Sequence, residues 1–334
     1  MISILLQEHM HPFIIYAVTG TFLGYGLVFL VYRWLQLDDP RLKAQLLFLP
    51  LIIPVTTYVI SSSFHVNPRC LLSVTGSTGL PFLDRLITGF CVVSNVAAVI
   101  LTPLFALAVS VAIIKAVVSL VACRRLVKRY GLVCTEDYPQ LTATLRQLSQ
   151  EVGVTTPGLI MTDKKYAQSF TFGFWNPVIV LSKKLVESLD QDELHAVLAH
   201  EMAHIVRKDS LFNWVAVFLR DAMFFAPVVY WGFNRLLGEK EKAADDITVR
   251  ITEKPLAFAQ ALIKVWRMSP KSLFADFSLD NFSPTPGFAK DGIIGHRVQR
   301  VIDAPGVQGL SSRAAIWLIF GMITTLVSIL LILC

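Results

Sequence analysis

The chain has 334 residues, of which 54% are hydrophobic and only 16% are charged, and its mean hydropathy is +0.59. This composition excludes an ordinary soluble globular protein and predicts several membrane spans together with one soluble domain. We expect the formal net charge of +6 to come from basic residues beside membrane spans, and not from nucleic-acid binding.

Four apolar segments are long enough to cross a membrane, because about 20 helical residues span a hydrocarbon core of about 30 Å. They are residues 12–32, 44–63, 86–114 and 314–333. The first segment lacks the basic start and the small-residue cleavage site of a signal peptide, so we expect it to remain in the protein.

Basic residues indicate the orientation of these spans, since cytoplasmic loops carry an excess of lysine and arginine. Residues 1–11 contain neither type, whereas basic residues follow the first span and the third: Arg33, Arg41, Lys43, Arg124, Arg125, Lys128 and Arg129. Arg69 and Arg85, in the second loop, give a weaker contrary signal. The consistent topology places the N-terminus outside and the soluble domain on the cytoplasmic side of a bacterial inner membrane.

Residues 124–209 are typical of a soluble α+β domain. Apolar residues at helical spacing predict a helix over 138–152. Apolar runs over 159–161 and 170–181, bounded and interrupted by glycine and proline, predict strands.

A helix that follows these strands carries the sequence His-Glu-Met-Ala-His at residues 200–204. Asp190 is predicted to cap this helix, with Glu193 three residues later completing a capping box. His200 and His204, four residues apart, share one helical face and can bind one metal ion. Glu201 can then take a proton from water at that ion. The alternative is a surface helix with two incidental histidines.

Glu241 is the candidate third ligand, since two histidines and one glutamate form an established catalytic zinc site. It begins the sequence Glu-Lys-Ala-Ala-Asp, in which Asp245 lies one helical turn further on. Asp245 is predicted to accept the second ring N–H of a ligating histidine, with an ion pair to a neighbouring lysine as the alternative. Asp209 is expected to cap the helix that begins near Leu211.

The strongly apolar segment 211–237 lies between the histidines and Glu241. A single crossing there would place Glu241 on the opposite side of the membrane from His200, which a shared ion excludes. Two half-helices broken at Pro227 could enter the bilayer and return, with Arg220 and Asp221 expected to find partners on other spans. A buried hairpin inside the soluble domain is the alternative.

The two motifs, together with Phe-Thr-Phe-Gly-Phe-Trp-Asn-Pro at 170–177, resemble the membrane-embedded gluzincin metallopeptidases. Within that group the chain is most similar to the antirepressor family of the BlaR/MecR type, and it is also related to the heat-shock and CAAX-prenyl protease family. The interval of 37 residues between His204 and Glu241 favours the former. Ala244, where the β-lactam sensors tend to have cysteine, favours the latter.

The resemblance implies two further sets of site residues. An edge strand that binds extended substrate is expected at Ser169, Phe170, Thr171, Phe172 and Gly173. An ordinary core strand is the alternative. His296 or Arg297 could stabilise the oxyanion, with a basic surface near the membrane as the alternative. Residues 269–292, rich in Ser, Pro, Asp and Gly, are expected to form a lid or exosite.

The sequence therefore predicts an α-helical integral membrane protein with a cytoplasmic α+β zincin-like metalloprotease domain. Three membrane helices occupy 1–122, the peptidase domain with its apolar, re-entrant hairpin occupies 123–312, and a last membrane helix occupies 313–334. One Zn²⁺ per chain would be held by His200, His204 and Glu241, with Glu201 as the general base.

The expected substrate is a protein or peptide cut at the cytoplasmic membrane surface. One alternative is a regulated signal-transducing protease that cleaves a repressor or itself, with input from a regulatory membrane partner, from the outside loop at about 64–85, or from the bilayer. Membrane quality control is another enzymatic alternative, and a non-catalytic, zinc-stabilised membrane scaffold is an alternative from a different class. The intact Glu201 argues against a scaffold, because a purely structural zinc site does not require a general base.

Overall fold

The structure is a computed structural model that describes residues 2–63, 81–133, 137–269, 291–303 and 312–333. Within these ranges it contains eleven helices and one three-stranded sheet. The helices are α1 (Ile2–Leu35), α2 (Pro40–Ser63), α3 (Pro81–Tyr130), α4 (Pro139–Val152), α5 (Lys183–Ser188), α6 (Gln191–Val206), α7 (Asp209–Ala222), α8 (Pro227–Thr252), α9 (Pro255–Met268), α10 (Asp291–Asp303) and α11 (Ser312–Leu333). The strands are β1 (Gly158–Thr162), β2 (Ser169–Phe172) and β3 (Val178–Ser182).

Four of the described helices are long and apolar enough to cross a membrane. The apolar parts are Met10–Leu35, Pro40–Ser63, Val96–Tyr130 and Ala314–Leu331. These helices and the small sheet confirm the predicted fold class of a helical membrane protein with an α+β part. The third helix extends beyond the predicted apolar span 86–114 at both ends, from Pro81 to Tyr130, and its last turns carry basic residues.

One compact unit contains the described residues of Met1–Ile113, Phe218–Leu236 and Gly309–Cys334. Two glycines of α1 allow close helix packing within it. A Cβ atom added at Gly20 would lie 2.6 Å from Pro54 Cγ, and one added at Gly24 would lie 2.9 Å from Pro50 Cβ. Small residues at such contacts let helix backbones approach one another, which favours helix association in a lipid environment.

The apolar segment 211–237 is broken as predicted, since α7 ends at Ala222 and α8 begins at Pro227. Its second helix is longer than expected and continues to Thr252. The Arg220 guanidinium donates to Asp221 Oδ1 at 2.6–2.8 Å and lies 4.7 Å from the Phe233 ring centroid. These contacts lie within the segment itself, and partners for Arg220 and Asp221 on other spans stay a prediction. Its entry into the bilayer stays a prediction.

The second compact unit contains the described residues of Ile114–Val217 and Leu237–Gln308. Its sheet has the order β1-β3-β2, with β1 parallel and β2 antiparallel to β3. Because β2 comes last in this order, it lies at an edge of the sheet, and its Phe170 pairs with Val180 of β3. The predicted helix over 138–152 is confirmed as α4, and its Leu145 and Leu148 are buried in the core of this unit.

The predicted capping box begins α6. Asp190 Oδ1 accepts from the Glu193 backbone N–H, and Glu193 Oε2 accepts from the Asp190 backbone N–H, both at 2.9 Å. Leu198 and Met202 then pack in the core of the second unit, which fixes the rotation of the helix. The expected lid or exosite at 269–292 lies almost wholly outside the described residues.

Candidate metal centre

Three predicted ligands converge in the second unit. His200 and His204 lie on successive turns of α6, and Glu241 lies on α8. The two Nε2 atoms are 3.2 Å apart, and each lies 3.7–3.8 Å from one oxygen of Glu241. Ligands held 2.0–2.1 Å from a tetrahedral ion are about 3.4 Å apart. The three side chains therefore fit a single divalent metal ion.

The opposite ring nitrogens of the two histidines face carboxylates. His204 Nδ1 lies 2.8 Å from Asp209 Oδ2, and His200 Nδ1 lies 3.4 Å from Asp245 Oδ1. Thr248 Oγ1 is 3.5 Å from the same atom of His200. If each Nδ1–H donates to its carboxylate, both Nε2 lone pairs point into one buried space. Lone pairs facing one another at 3.2 Å repel unless a cation lies between them, so the donor set fits a metal.

Glu241 is held ionised by a buried arginine. Arg297 Nη1 lies 3.1 Å from Glu241 Oε2, and the Arg297 side chain is only 4% exposed. Burial by itself raises the pKa of Glu241, but the positive charge of Arg297 and the nearby histidines hold that pKa well below its usual range. Glu241 therefore presents a negative charge to a cation at neutral pH.

Arg297 also joins Asp245 to this centre. Its Nε and Nη2 donate to the two carboxylate oxygens of Asp245 at 2.8 and 2.6 Å. The basic surface offered as the alternative for Arg297 is therefore wrong, because the side chain is buried between two carboxylates. The neighbouring His296 is exposed. Oxyanion stabilisation by either residue stays a prediction.

Asp209 supports His204 from the other side. It was expected to cap α7, but it is the first residue of that helix and its carboxylate faces the imidazole. Lys240 Nζ lies 3.1 Å from Asp209 Oδ1, and Arg207 Nε lies 3.5 Å from Oδ2. Burial opposes ionisation of Asp209, but His204, Lys240 and Arg207 keep its pKa below the usual range.

The same negative charges act on His204. Burial by itself lowers the pKa of His204, but the hydrogen bond with Asp209 and the charge of Glu241 outweigh that effect and raise it. Protons and metal ions compete for an imidazole in such surroundings, so metal binding is expected to release a proton.

Glu201 is held by the edge strand β2. Ser169 Oγ donates to Glu201 Oε1 and Thr171 Oγ1 donates to Oε2, both at 2.8 Å. The hydroxyls reach the same carboxylate because alternate residues of a strand point to one face. Glu201 is only 2% exposed, so these two hydrogen bonds provide its buried carboxylate with partners and fix its orientation.

The other residues of the predicted substrate strand, Phe170, Phe172 and Gly173, pack within the fold or form its turn. Phe170 is buried in a cluster with Ile160 and Val180, and its ring centroid lies 6.2 Å from that of Phe172. Gly173 has φ +95°, and a Cβ atom there would overlap the carbonyl oxygen of Asn176. Substrate binding by this strand stays a prediction, and it would involve the backbone of β2 at the sheet edge.

Fold and site together define the class of a membrane metallopeptidase: helices able to span a bilayer, and a buried pair of histidines and a glutamate beside a second glutamate. Comparison with known families agrees. Residues 90–284 match the family model described as BlaR1 peptidase M56. The chain belongs to this family, which confirms the resemblance predicted from the sequence.

Curated relatives carry the name Protease HtpX homolog. The chain is 27% identical to the one of Thermococcus kodakarensis over 176 residues, covering 41% of this chain and 60% of the relative. It is 31% identical to the one of Thermococcus sibiricus over 168 residues, covering 39% and 58%. The chain thus matches about three fifths of the length of these relatives.

Among solved structures, S. mikatae Ste24p overlaps 74% of this chain and 64% of its own, with a TM-score of 0.39 and 16% sequence identity.

Replacing Asp209 by Asn should weaken metal binding by about 10- to 100-fold, because the amide cannot supply the negative charge that orients and polarises His204. A competition titration with a chelator of known affinity measures the change. Asp246→Asn is the matched control, since Asp246 pairs with Arg300 and not with a predicted ligand. Equal metal affinities of Asp209→Asn and the unaltered protein would contradict the role given to Asp209.

Proposed function

We propose that the protein is a zinc metalloendopeptidase that hydrolyses protein or peptide substrates at the cytoplasmic surface of a membrane. His200, His204 and Glu241 hold one Zn²⁺, and Glu201 is the general base. The observation that carries this proposal is the convergence of three ligand atoms, all within 4.8 Å of one another, beside Glu201, which is not a member of that group. Two histidines, one glutamate and an open position form an established catalytic zinc site.

The chain's own residues supply the proton transfers and the alignment of substrate. When bound, Zn²⁺ acidifies water and polarises the scissile carbonyl. Glu201 accepts the proton of the attacking water and delivers it to the leaving amine as the peptide C–N bond breaks. Asp245 and Asp209 hold the tautomers and orientations of the two histidines.

Ser169 and Thr171 orient Glu201 for this exchange. Each hydroxyl donates to a different carboxylate oxygen, so rotation of the carboxylate would break both hydrogen bonds. A general base requires placement within hydrogen-bond reach of its proton, and a shift of about 1 Å can lower the rate by about 100-fold. Because both hydroxyls belong to β2, a substrate strand added at that edge would be aligned with the base.

Charge and packing support the proposed location. The last turn of α1 carries Arg33, and that of α3 carries Lys128 and Arg129. These positions support an N-terminus outside and an active site on the cytoplasmic side of a bacterial inner membrane. The Phe225 ring centroid lies 6.0 Å from that of Phe13 on α1, which supports a re-entrant hairpin among membrane helices.

The contacts of Glu201 argue against the scaffold alternative. A structural metal site needs only its ligands. Here a fourth side chain, Glu201, is also buried beside the site and is bonded by two hydroxyls. Burying a carboxylate costs free energy, and a purely structural metal site gives no reason for that cost. The resemblance to the antirepressor family makes regulated cleavage, of a repressor or of the chain itself, the second candidate function.

Glu201→Gln should retain zinc and the fold but lose peptide cleavage, because the amide cannot accept the proton of water. His200→Ala should instead lose bound zinc. Metal analysis of each purified variant, with cleavage of an unfolded protein and self-cleavage followed on one gel, distinguishes the two effects. Full cleavage by Glu201→Gln would refute the general-base assignment.

Thr171→Val should lower kcat by about 10- to 100-fold with little change in KM or zinc content, since it removes one of the two bonds that orient Glu201. Thr171→Ser restores the hydroxyl and should recover most of the activity. A merely structural role would instead lower zinc content or thermal stability in the valine variant. Steady-state kinetics beside metal analysis and thermal unfolding tests this expectation.

A further inference from the structure

The last turns of α3 carry four exposed basic side chains that form one surface patch. They are Arg124, Arg125, Lys128 and Arg129. Successive residues of an α-helix are about 100° apart around its axis, so these four positions lie within an arc of about 140°. We call this surface the basic patch. The proposed cleavage reaction uses none of its residues.

The opposite side of the same turns is attached to the sheet. Leu126 and Val127 pack against Val180 of β3 in one buried cluster. Just after the helix, the Val133 backbone N–H donates to the Leu159 carbonyl of β1 at 2.8 Å. The basic patch therefore faces away from the core of the second unit, on a helix end that is fixed to the sheet.

The charge of the basic patch is not neutralised within the described part of the chain. None of the salt bridges found there involves any of its four side chains. Elsewhere in the second unit, by contrast, Lys264 pairs with Glu193 and Arg300 pairs with Asp246. Four positive charges on one side of a helix attract an external anionic partner.

An apolar surface precedes the basic patch on the same side of α3. Its four side chains are 38–60% exposed and lie within the same arc of the helix: Ile114, Val117, Val118 and Val121. We call this surface the apolar patch. Lys115, the single charged residue in 86–123, lies outside the arc, and its long side chain can extend toward lipid headgroups.

The order of the two patches identifies their partner. A helix that leaves a bilayer presents apolar side chains to the hydrocarbon and then basic side chains to the lipid phosphates. The apolar run 86–123 is longer than the about 20 residues that span the hydrocarbon core, and a helix of excess length tilts. Tilting brings one side of its last turns to the lipid surface. A soluble acidic partner would match the charge but would not account for the apolar patch.

We propose that the two patches form a binding face for anionic phospholipids, which holds the sheet of the second unit at the membrane surface. The apolar patch contacts acyl chains, and the basic patch binds the lipid phosphates. Because β2 belongs to the same sheet, lipid binding also fixes the distance between the edge strand and the bilayer. The inference goes beyond the proposed cleavage reaction and does not depend on it.

Spin-labelled lipids test the inference without catalysis. The full chain is reconstituted in phosphatidylcholine bilayers that contain a trace of spin-labelled phosphatidylglycerol or spin-labelled phosphatidylcholine. Electron paramagnetic resonance measures the fraction of each label held at the protein surface, and the ratio gives the preference for the anionic lipid. The unaltered protein should show a preference of about threefold or more, and about 0.5 M NaCl should lower it, because salt screens the attraction.

Replacing all four residues of the basic patch by Gln should lower this preference at least about twofold. Zinc content and the thermal unfolding temperature should stay unchanged, since the side of α3 that packs on the sheet is intact. The matched control also replaces three arginines and one lysine by Gln, all exposed in the second unit and outside α3: Arg146, Lys184, Arg250 and Arg267. The control should keep the preference of the unaltered protein.

A charge-preserving variant separates charge from packing. Replacing Arg124, Arg125 and Arg129 by Lys should keep the preference, because the attraction to anionic lipid depends on charge. An unchanged preference in the glutamine variant, an equal loss in the control, or a loss in the lysine variant as large as that in the glutamine variant would each overturn the assignment.

Two half variants test the same face if the fourfold glutamine variant does not fold. One carries Arg124→Gln and Arg125→Gln, and the other carries Lys128→Gln and Arg129→Gln. Each removes two charges and should give a preference between those of the unaltered protein and phosphatidylcholine-like binding. No change in either half variant would overturn the assignment. A failure of the proposed cleavage reaction would not alter any of these results.

Discussion

Charge compensation in a buried place is the constraint on which this site depends. Four carboxylates, Glu201, Asp209, Glu241 and Asp245, are each less than 9% exposed, and unpaired buried charges are strongly destabilising. Two buried basic side chains, Arg297 and Lys240, offset part of this charge, and two hydroxyls bind Glu201. A divalent cation among His200, His204 and Glu241 would supply the rest.

Each compensating group also has a geometric effect on the chemistry. Arg297 keeps Glu241 ionised and fixes Asp245, which faces His200. Asp209, itself paired with Lys240, faces His204. The charged groups that compensate the buried carboxylates are therefore the same groups that orient the metal ligands. Glu201 differs from the other three carboxylates, because its hydrogen-bond donors are the neutral hydroxyls of Ser169 and Thr171.

The sequence was sufficient for the parts of this site that depend on short spacing. The capping box at Asp190, the face shared by His200 and His204, and the helix breaks around Pro227 each follow from residues a few positions apart. Asp209 was misjudged, because an aspartate before an apolar helix is more often a cap than a histidine partner. Arg297 contacts Asp245 and Thr171 contacts Glu201, and each pair is separated by tens of residues in the sequence. The spacing of residues within one helix or strand cannot predict contacts between such distant segments.

The coordination shell of bound zinc tests the central claim most directly, because the chain also contains five cysteines. X-ray absorption at the zinc edge of the purified protein should show one zinc with nitrogen and oxygen neighbours only, at about 2.0–2.2 Å, and with the scattering pattern of two imidazoles. A sulfur neighbour at about 2.3 Å, or a spectrum unchanged by Glu241→Ala, would contradict a centre built from His200, His204 and Glu241.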